Sequence, residues 1–561
     1  VFATLIGPAY FVHEVLLPLE ITMRISTALY LLACVNVCVC QIARNSIADE
    51  VDRVEPPNFV FFIADDMQRY MFNCLPESTE PYLTPHLDRL VAEGTLLAGQ
   101  YVSAPVCTPS RFSCLTGLFA SRSTSRRLRA TIERDGQSVV GWNTMIQPDQ
   151  VTVASLLQEA GYRTGMVGKN HVIDVPGRQK IGYRKDPGDP AVAAQLAADQ
   201  ERICRAMRRG GFDYAAAIYH NNPDGNGPRA LAVHNLDWIT QAGLQFLEEA
   251  KEEPFFLYFA STVPHGPGSA ERSWRADPRA TAAGFLDQPS RVLPPRETIP
   301  QRLRQAGLRV DDRRANMLWL DDALGAVMEK LEDCGQLANT IVFFFNDHGQ
   351  QAKGTLYQGG ISNPSIVWRQ GGFPCGPVSN VRVSNIDFAP TILDFAGVAI
   401  PPGQFDGRSF RPLLNGDSGP IHDSLYFEMG FTRAVVKGDW KYLALRYPQR
   451  ANQMSAEERA QLLARFNARQ REHDKRVITE DPTQPFSHIS LIPGGAGAEA
   501  ASTGRKPGYY DADQLYHLSR DPTEQRNLAL DPQYARKLEE MKRELVKYLS
   551  DLPGGFAELK E

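Results

Sequence analysis

Cysteine is scarce, with nine in 561 residues, too few for a fold held together by disulfides. Six lie beyond residue 48: Cys74, Cys107, Cys114, Cys204, Cys334 and Cys375. None of these six has a Cys-x-x-Cys or other metal-type spacing, which excludes a zinc-finger or dithiol redox motif. Basic charge is also lacking. Lys plus Arg is 60 against 65 Asp plus Glu, a net charge of −5, and this argues against a general nucleic-acid binder. Past residue 48 no apolar run approaches about 18 residues, so no membrane-spanning helix is expected there. There is no Asn-x-Ser/Thr sequon, a mild pointer to a bacterial rather than a eukaryotic secreted protein. No internal repeat is visible. What is present is an ordinary globular composition, 43% hydrophobic and 22% charged, which excludes disorder as the main state. Length alone allows roughly two to four domains.

Residues 1–48 read as an upstream extension and an export signal. After Met23 come Arg24, an apolar run from Ile25 to Cys40 and the small-residue site Ser46-Ile47-Ala48. That order matches a signal peptide better than a buried helix, and Asn36 interrupts any transmembrane reading. A lipoprotein site at Leu31-Leu32-Ala33-Cys34 is a weaker alternative. Export predicts a periplasmic or extracellular protein.

Four apolar runs are predicted as strands buried on both faces: Phe59–Ala64, Thr164–Val167, Phe255–Ala260 and Thr340–Phe345. Helical spacing lies between them, from Thr152 and over Asn316–Leu331. Strands alternating with helices predict an α/β domain. After about Pro420 the texture changes. Ser424–Glu428 and Arg433–Leu445 predict antiparallel strands, with a turn at Gly438-Asp439. Ser455–Arg471 and Pro532–Leu549 predict helices, and His488–Gly508 a loop. The expected organisation is 1–48 leader, 49–422 catalytic domain and 423–561 smaller α+β domain.

The residues after each run carry the chemistry. They are Asp65-Asp66, Gly168-Lys169-Asn170-His171, His265 and Asn346-Asp347-His348-Gly349. Ligands of open α/β sheets bind beyond the carboxyl ends of strands, so one parallel sheet would bring these residues to one crevice. Singly, each has a bland reading: Asp caps and turns, and a lone His is usually structural. Asp65, Asp66 and Asp347 together call for a cation to offset their repulsion. Oxygen ligands favour Ca²⁺ or Mg²⁺, although His348 is a less usual ligand for either. Between the first two runs, Cys107-Thr108-Pro109-Ser110-Arg111 precedes a helical stretch predicted over Phe112–Leu118. Cys107 then sits at a helix N-terminus, a place that favours anions, with Arg111 one turn on and able to point back toward it. On these residues alone, a buried cysteine beside a surface arginine reads equally well, as do Lys169 and Lys353 as surface lysines.

Cys107-x-Pro109-x-Arg111 followed by Leu115-Thr116-Gly117 resembles the signature of the type I sulfatases, in the alkaline phosphatase superfamily. So do Pro57-Asn58 leading to Asp65-Asp66, Gly168-Lys169-Asn170-His171, Pro254–Ala260 with His265, Asp347-His348-Gly349 and Lys353–Gly360. Ile386–Leu393, Leu515–Leu518 and Asp521-Pro522 add to it, so the resemblance runs from about Pro57 to Asn527. There are departures. Gln358 stands where Glu is usual, Asn170 where Trp is common, and Ser362-Asn363 where Arg-Val is common. The last two are expected near the substrate mouth.

The resemblance implies a large, mixed, mostly parallel sheet sandwiched between helices, with the C-terminal domain built on an antiparallel sheet. It implies Cys107 converted to formylglycine (3-oxoalanine) by a sulfatase-maturating enzyme, and one divalent cation held by Asp65, Asp66, Cys107, Asp347 and His348. Ca²⁺ is the first expectation, with Mg²⁺ or another divalent ion second. Arg111, Lys169 and Lys353 would hold the nucleophile and the sulfate. His265 would protonate the leaving group, and His171 would accept a proton as sulfate departs. The implied substrate is a sulfated carbohydrate, with Thr124–Asp149, Val172–Asp224 and Gly266–Asp312 expected to decide which. Two rivals stand beside this reading: a phosphomonoester or phosphodiester hydrolase of the same superfamily, and a catalytically dead carbohydrate-binding protein. Six cysteines less one converted leaves an odd number, so at least one free thiol is expected.

Overall fold

The four predicted apolar runs form neighbouring parallel strands at the centre of one sheet. The computed structural model describes residues 55–225, 227–495, 497–500, 506–556 and 559; the predicted leader over 1–48 lies outside them. Eight strands in chain order make the large sheet. They are Asn58–Asp65 (β1), Thr95–Leu97 (β2), Arg163–Lys169 (β3), Tyr214–Tyr219 (β4), Phe255–Pro264 (β5), Thr340–Asn346 (β6), Ser365–Trp368 (β7) and Val378–Ser379 (β8). Across the sheet they run β8-β2-β7-β6-β1-β5-β3-β4. Strands β6, β1, β5, β3 and β4 are parallel, while β7 is antiparallel to both β6 and β2.

Burial on both faces explains the unbroken apolar sequence of β1. Val60, Phe62 and Ala64 pack with one helical layer, which includes Leu236–Glu249 and Asp312–Asp333. Phe59, Phe61 and Ile63 pack with the opposite layer, which includes Cys107–Thr116 (α1), Val153–Glu159 (α2) and Phe388–Phe395 (α3). Phe62 stacks across the sheet on Phe259 and Phe344, with ring centres 4.5 and 5.7 Å away. Each such phenylalanine contributes about 1.5–3 kcal/mol by leaving water. Among the described residues no helix is long and apolar enough to cross a membrane.

A second sheet follows, with strands Leu425–Met429 (β9), Thr432–Lys437 (β10), Trp440–Leu445 (β11) and Asp513–His517 (β12), antiparallel in sequential order. Its turn at Gly438-Asp439 is where the sequence predicts it. One face carries Tyr426, Val435 and Tyr442 against Met541 and Leu545 of a closing helix, Ala535–Leu549. The other face carries Phe427, Ala434 and Leu443 against Leu356 and Tyr357. The small sheet therefore backs the segment that contains Lys353. The helix predicted over 455–471 spans Ala456–Glu472 (α4) and is capped by Ser455, whose side chain accepts from the Glu458 N–H. Within the predicted loop 488–508, the described residues include a short helix, Gly497–Ala500.

Candidate active site

Strand register decides which residues meet. Ala64 lies beside Asn346, Gly168 beside Ala260, and Asp65 beside Pro264. The residues just past these points therefore gather at one sheet edge. Two of them, Asp66 and His171, have φ of 61° and 50°, a left-handed conformation that costs free energy in a non-glycine residue and clusters at functional sites. Gly168 has φ +85°, and a Cβ there would lie 1.9 Å from the Ala260 carbonyl oxygen. Only glycine lets β3 pass so close to β5 and still deliver Lys169.

Cys107 is the first residue of α1 and is 1% exposed. The helix begins there and ends at Thr116, earlier than the predicted Leu118, because Gly117 takes a left-handed φ of 65°. Cys107 Sγ lies 3.5 Å from His348 Nε2 and 3.8 Å from Lys353 Nζ. Burial alone would raise the thiol pKa, but Lys169 and Lys353 hold it well below its ordinary value. Arg111 bridges two carboxylates beside Cys107. Its Nη2 donates to Asp65 Oδ1 at 3.3 Å and to Asp347 Oδ2 at 3.2 Å. Lys169 Nζ donates to the other Asp65 oxygen. Lys353 Nζ donates to both oxygens of Asp66, at 2.6 and 2.8 Å.

Two histidines flank Asp66. His348 Nε2 lies 3.1 Å from Oδ1 and His265 Nε2 lies 3.2 Å from Oδ2. Burial lowers the His265 pKa, but Asp66 and Asp65 outweigh it and raise the value above the usual range. His171 goes the other way, down to about 4, because burial dominates and Lys169 and Arg111 disfavour a further positive charge.

Four side chains, from Asp66, Cys107, Asp347 and His348, offer ligand atoms within 4.8 Å of one another. Asp65 is adjacent, but both its oxygens are taken by Arg111 and Lys169. Two observations fit a divalent cation at this group. Burial, with Cys107 and Asp65 nearby, pushes the Asp347 carboxyl up to about 7. Burial pulls His348 down, yet Asp347 and Asp66 push it up to about 10. Like charges crowded in a buried site shift both groups, and a divalent cation among these donors would relieve that crowding. Orphaned polar atoms surround it: Thr108 Oγ1, Arg111 Nε and Nη1, His171 Nδ1 and Tyr258 OH are buried without a partner among the described residues.

Asp66, Cys107, His171, His265 and Lys353 floor a cleft of about 760 Å³. Trp142, Asn221 and Asn222 line its walls, from two of the three segments expected to do so. The third, 266–312, instead contributes to a separate cavity with Trp274, Arg291 and Arg296. The opposite wall was not legible in the sequence: Phe466 and Gln470 of α4, followed by Lys475, Arg476 and Ile478. The departures at Asn170 and Asn363 are not at the mouth. Both are fully buried. The Asn170 side chain closes the turn to Ile173, and Asn363 Oδ1 accepts from the Asn346 amide at 2.9 Å. All six cysteines beyond residue 48 are free, more than the single thiol the odd count required.

A family model described as Sulfatase matches residues 57–398. The N-acetylgalactosamine-6-sulfatase of Canis lupus familiaris is 28% identical over 417 residues, covering 69% of this chain and 71% of the relative. The ulvan-active sulfatase of Formosa agariphila is 24% identical over 538 residues, covering 92% of this chain and 78% of its own. A solved structure from work on glycosaminoglycan metabolism by Bacteroides thetaiotaomicron shares the fold, with a TM-score of 0.56 and 20% identity. It covers 88% of this chain and 99% of the solved one.

Proposed function

Because the chain belongs to the sulfatase family and is a sulfuric ester hydrolase, we propose that it removes sulfate from a carbohydrate, using Cys107 as formylglycine together with one divalent cation. The relatives acting on N-acetylgalactosamine sulfate and ulvan support the substrate class. When present, the aldehyde would, as its hydrate, supply a hydroxyl nucleophile, and a cation held by Asp66, Asp347, His348 and residue 107, with Asp65 adjacent, would acidify that hydroxyl and polarise the sulfate.

The chain's own side chains do the rest. Lys169, Lys353 and Arg111 are buried cations around residue 107 and stabilise negative charge as it builds on the sulfate oxygens. His265, kept protonated beside Asp66, gives its proton to the leaving alkoxide. His171, kept neutral by burial, takes a proton at residue 107 as sulfate leaves. A maturating enzyme is the partner this chemistry requires. The leader reading of 1–48 and the division into 49–422 and 423–561 belong to the same proposal, with export as its setting.

The observation that carries the reading is Cys107 Sγ within 3.5 Å of His348 and 3.8 Å of Lys353 at the floor of the cleft. Mass spectrometry of the Cys107 peptide after co-expression with a maturating enzyme tests it. The expected result is a thiol-to-aldehyde change, with aryl sulfate hydrolysed in preference to aryl phosphate. A thiol retained at full occupancy overturns the nucleophile, and a preference for phosphate overturns the substrate ester.

A further inference from the structure

The wall of the cleft that the sequence hides is tied across to the catalytic region by three contacts in three consecutive residues. His473 lies 5.4 Å, ring to ring, from Tyr183. Asp474, in a left-handed turn with φ 54°, pairs with Arg229 at 3.6 Å. Lys475 Nζ pairs with Asp224 at 2.8 Å. The next residue, Arg476, enters the cleft lining.

Apart from the residues on the cleft floor, the charged side chains that line this space among the described residues are Lys475 and Arg476. Asp224 neutralises Lys475. Arg476 is exposed and has no carboxylate partner among the described residues. Among the described residues, the cleft wall therefore carries one uncompensated cation, Arg476, beside the proposed sulfate site. A guanidinium presents a flat, forked set of donors that suits a carboxylate or a sulfate. Trp142, also in the lining and 37% exposed, offers an apolar face for a sugar ring.

We infer that Arg476 is a specificity-determining residue that reads a second anionic group, a uronate carboxylate or a further sulfate, on the leaving-group side of the saccharide. This rests on the sulfatase reading above. The ties at 473–475 anchor the backbone just before Arg476, which narrows where its side chain can reach before substrate arrives.

The test compares three sulfated disaccharides that differ only beside the scissile ester: neutral, uronate-bearing and doubly sulfated. Wild-type, Arg476→Ala and Arg476→Lys full-length proteins are assayed, with aryl sulfate as a reference. The wild type is expected to favour at least one doubly charged sugar over the neutral one by about 10- to 100-fold in kcat/KM. Arg476→Ala is expected to erase that ratio, mainly through KM, and Arg476→Lys to keep part of it. The identity of the favoured sugar separates carboxylate from sulfate. A wild-type ratio near one, or a ratio that survives Arg476→Ala, overturns the inference. Calorimetric binding of the same sugars to the unconverted thiol form gives the same ratio without turnover. No turnover of any sulfate ester with that binding ratio intact overturns the sulfatase reading alone, whereas turnover with a flat ratio overturns this inference alone.

Discussion

Lys441 and Glu524 meet 2.5 Å apart, with neither side chain exposed. Lys441 also donates to the Leu356 carbonyl, and the second Glu524 oxygen accepts from the Gln358 N–H at 2.7 Å. A buried ion pair thus joins the small sheet to the segment that follows Lys353. Removing one partner leaves an uncompensated charge, whereas replacing both with apolar groups does not. Glu524→Ala is expected to cost about 3–5 kcal/mol, and Glu524→Ala with Lys441→Met to recover most of it. Urea unfolding of the single and double variants measures this; equal losses in both would show the pair to be inert.

The acidic cluster at Asp66 and Asp347 predicts stabilisation by metal. Adding Ca²⁺ or another divalent ion should raise the melting temperature, and chelation should reverse the rise. At a concentration about 100 times Kd the gain is about 2.7 kcal/mol. In Asp347→Asn the shift should disappear, as read by calorimetry. An unchanged shift in that variant would put the ion elsewhere.

His171→Ala and His265→Ala should each lower kcat on an aryl sulfate by about 10²–10⁴-fold while leaving the melting temperature close to that of the parent. Stopped assays on the aldehyde-bearing protein measure this. A loss below tenfold in either would remove that residue from proton transfer.

Gly168→Ala should be among the most damaging single-methyl changes in the chain. The new Cβ would collide with the Ala260 carbonyl, on a backbone at φ +85°, and both effects displace Lys169. A cost above about 2 kcal/mol is expected, visible as a lower melting temperature and reduced soluble yield. Near-normal stability would mean that β3 and β5 can part there.

Acid sensitivity should arise in part far from the site. Burial raises the Glu544 pKa, but hydrogen bonds from Lys437, Lys547 and Ser424 bring it from 4.5 down to about 2. A folded value below the unfolded one stabilises above about pH 4.5, and that stability is lost as pH falls toward 2. It amounts to at most about 3 kcal/mol. The stability gap between wild type and Glu544→Gln should therefore shrink between pH 7 and pH 3.5 in urea titrations. A constant gap would remove ionisation as the cause.

The central strands were legible because burial on both faces leaves runs such as Phe59–Ala64 with no polar residue. The floor of the cleft was legible for a related reason: parallel strands end at one edge, so Asp66, Lys169, His265 and Asp347 had to converge there. Arg476 was not legible. Its neighbours His473, Asp474 and Lys475 bring it to the cleft by contacts with Tyr183, Arg229 and Asp224, hundreds of residues earlier in the chain, and no local spacing encodes such pairings. Asn170 and Asn363 misled because a buried amide that closes a turn looks, in sequence, like a polar group facing a ligand.

Cys107 has almost no surface in the finished fold, and its neighbours come from residues as far apart as Asp66 and Lys353. Once β1, β6 and the Lys353 segment are packed around it, that sulfur is reached only from the floor of the cleft, which suits a small ester better than a second protein's active site. Under the proposed conversion, the enzyme that alters Cys107 would then meet the chain before it folds. On that reading the chemistry at residue 107 becomes a matter of timing: a chain that folds first is expected to keep its thiol, and a modifying enzyme added afterwards to convert little of it.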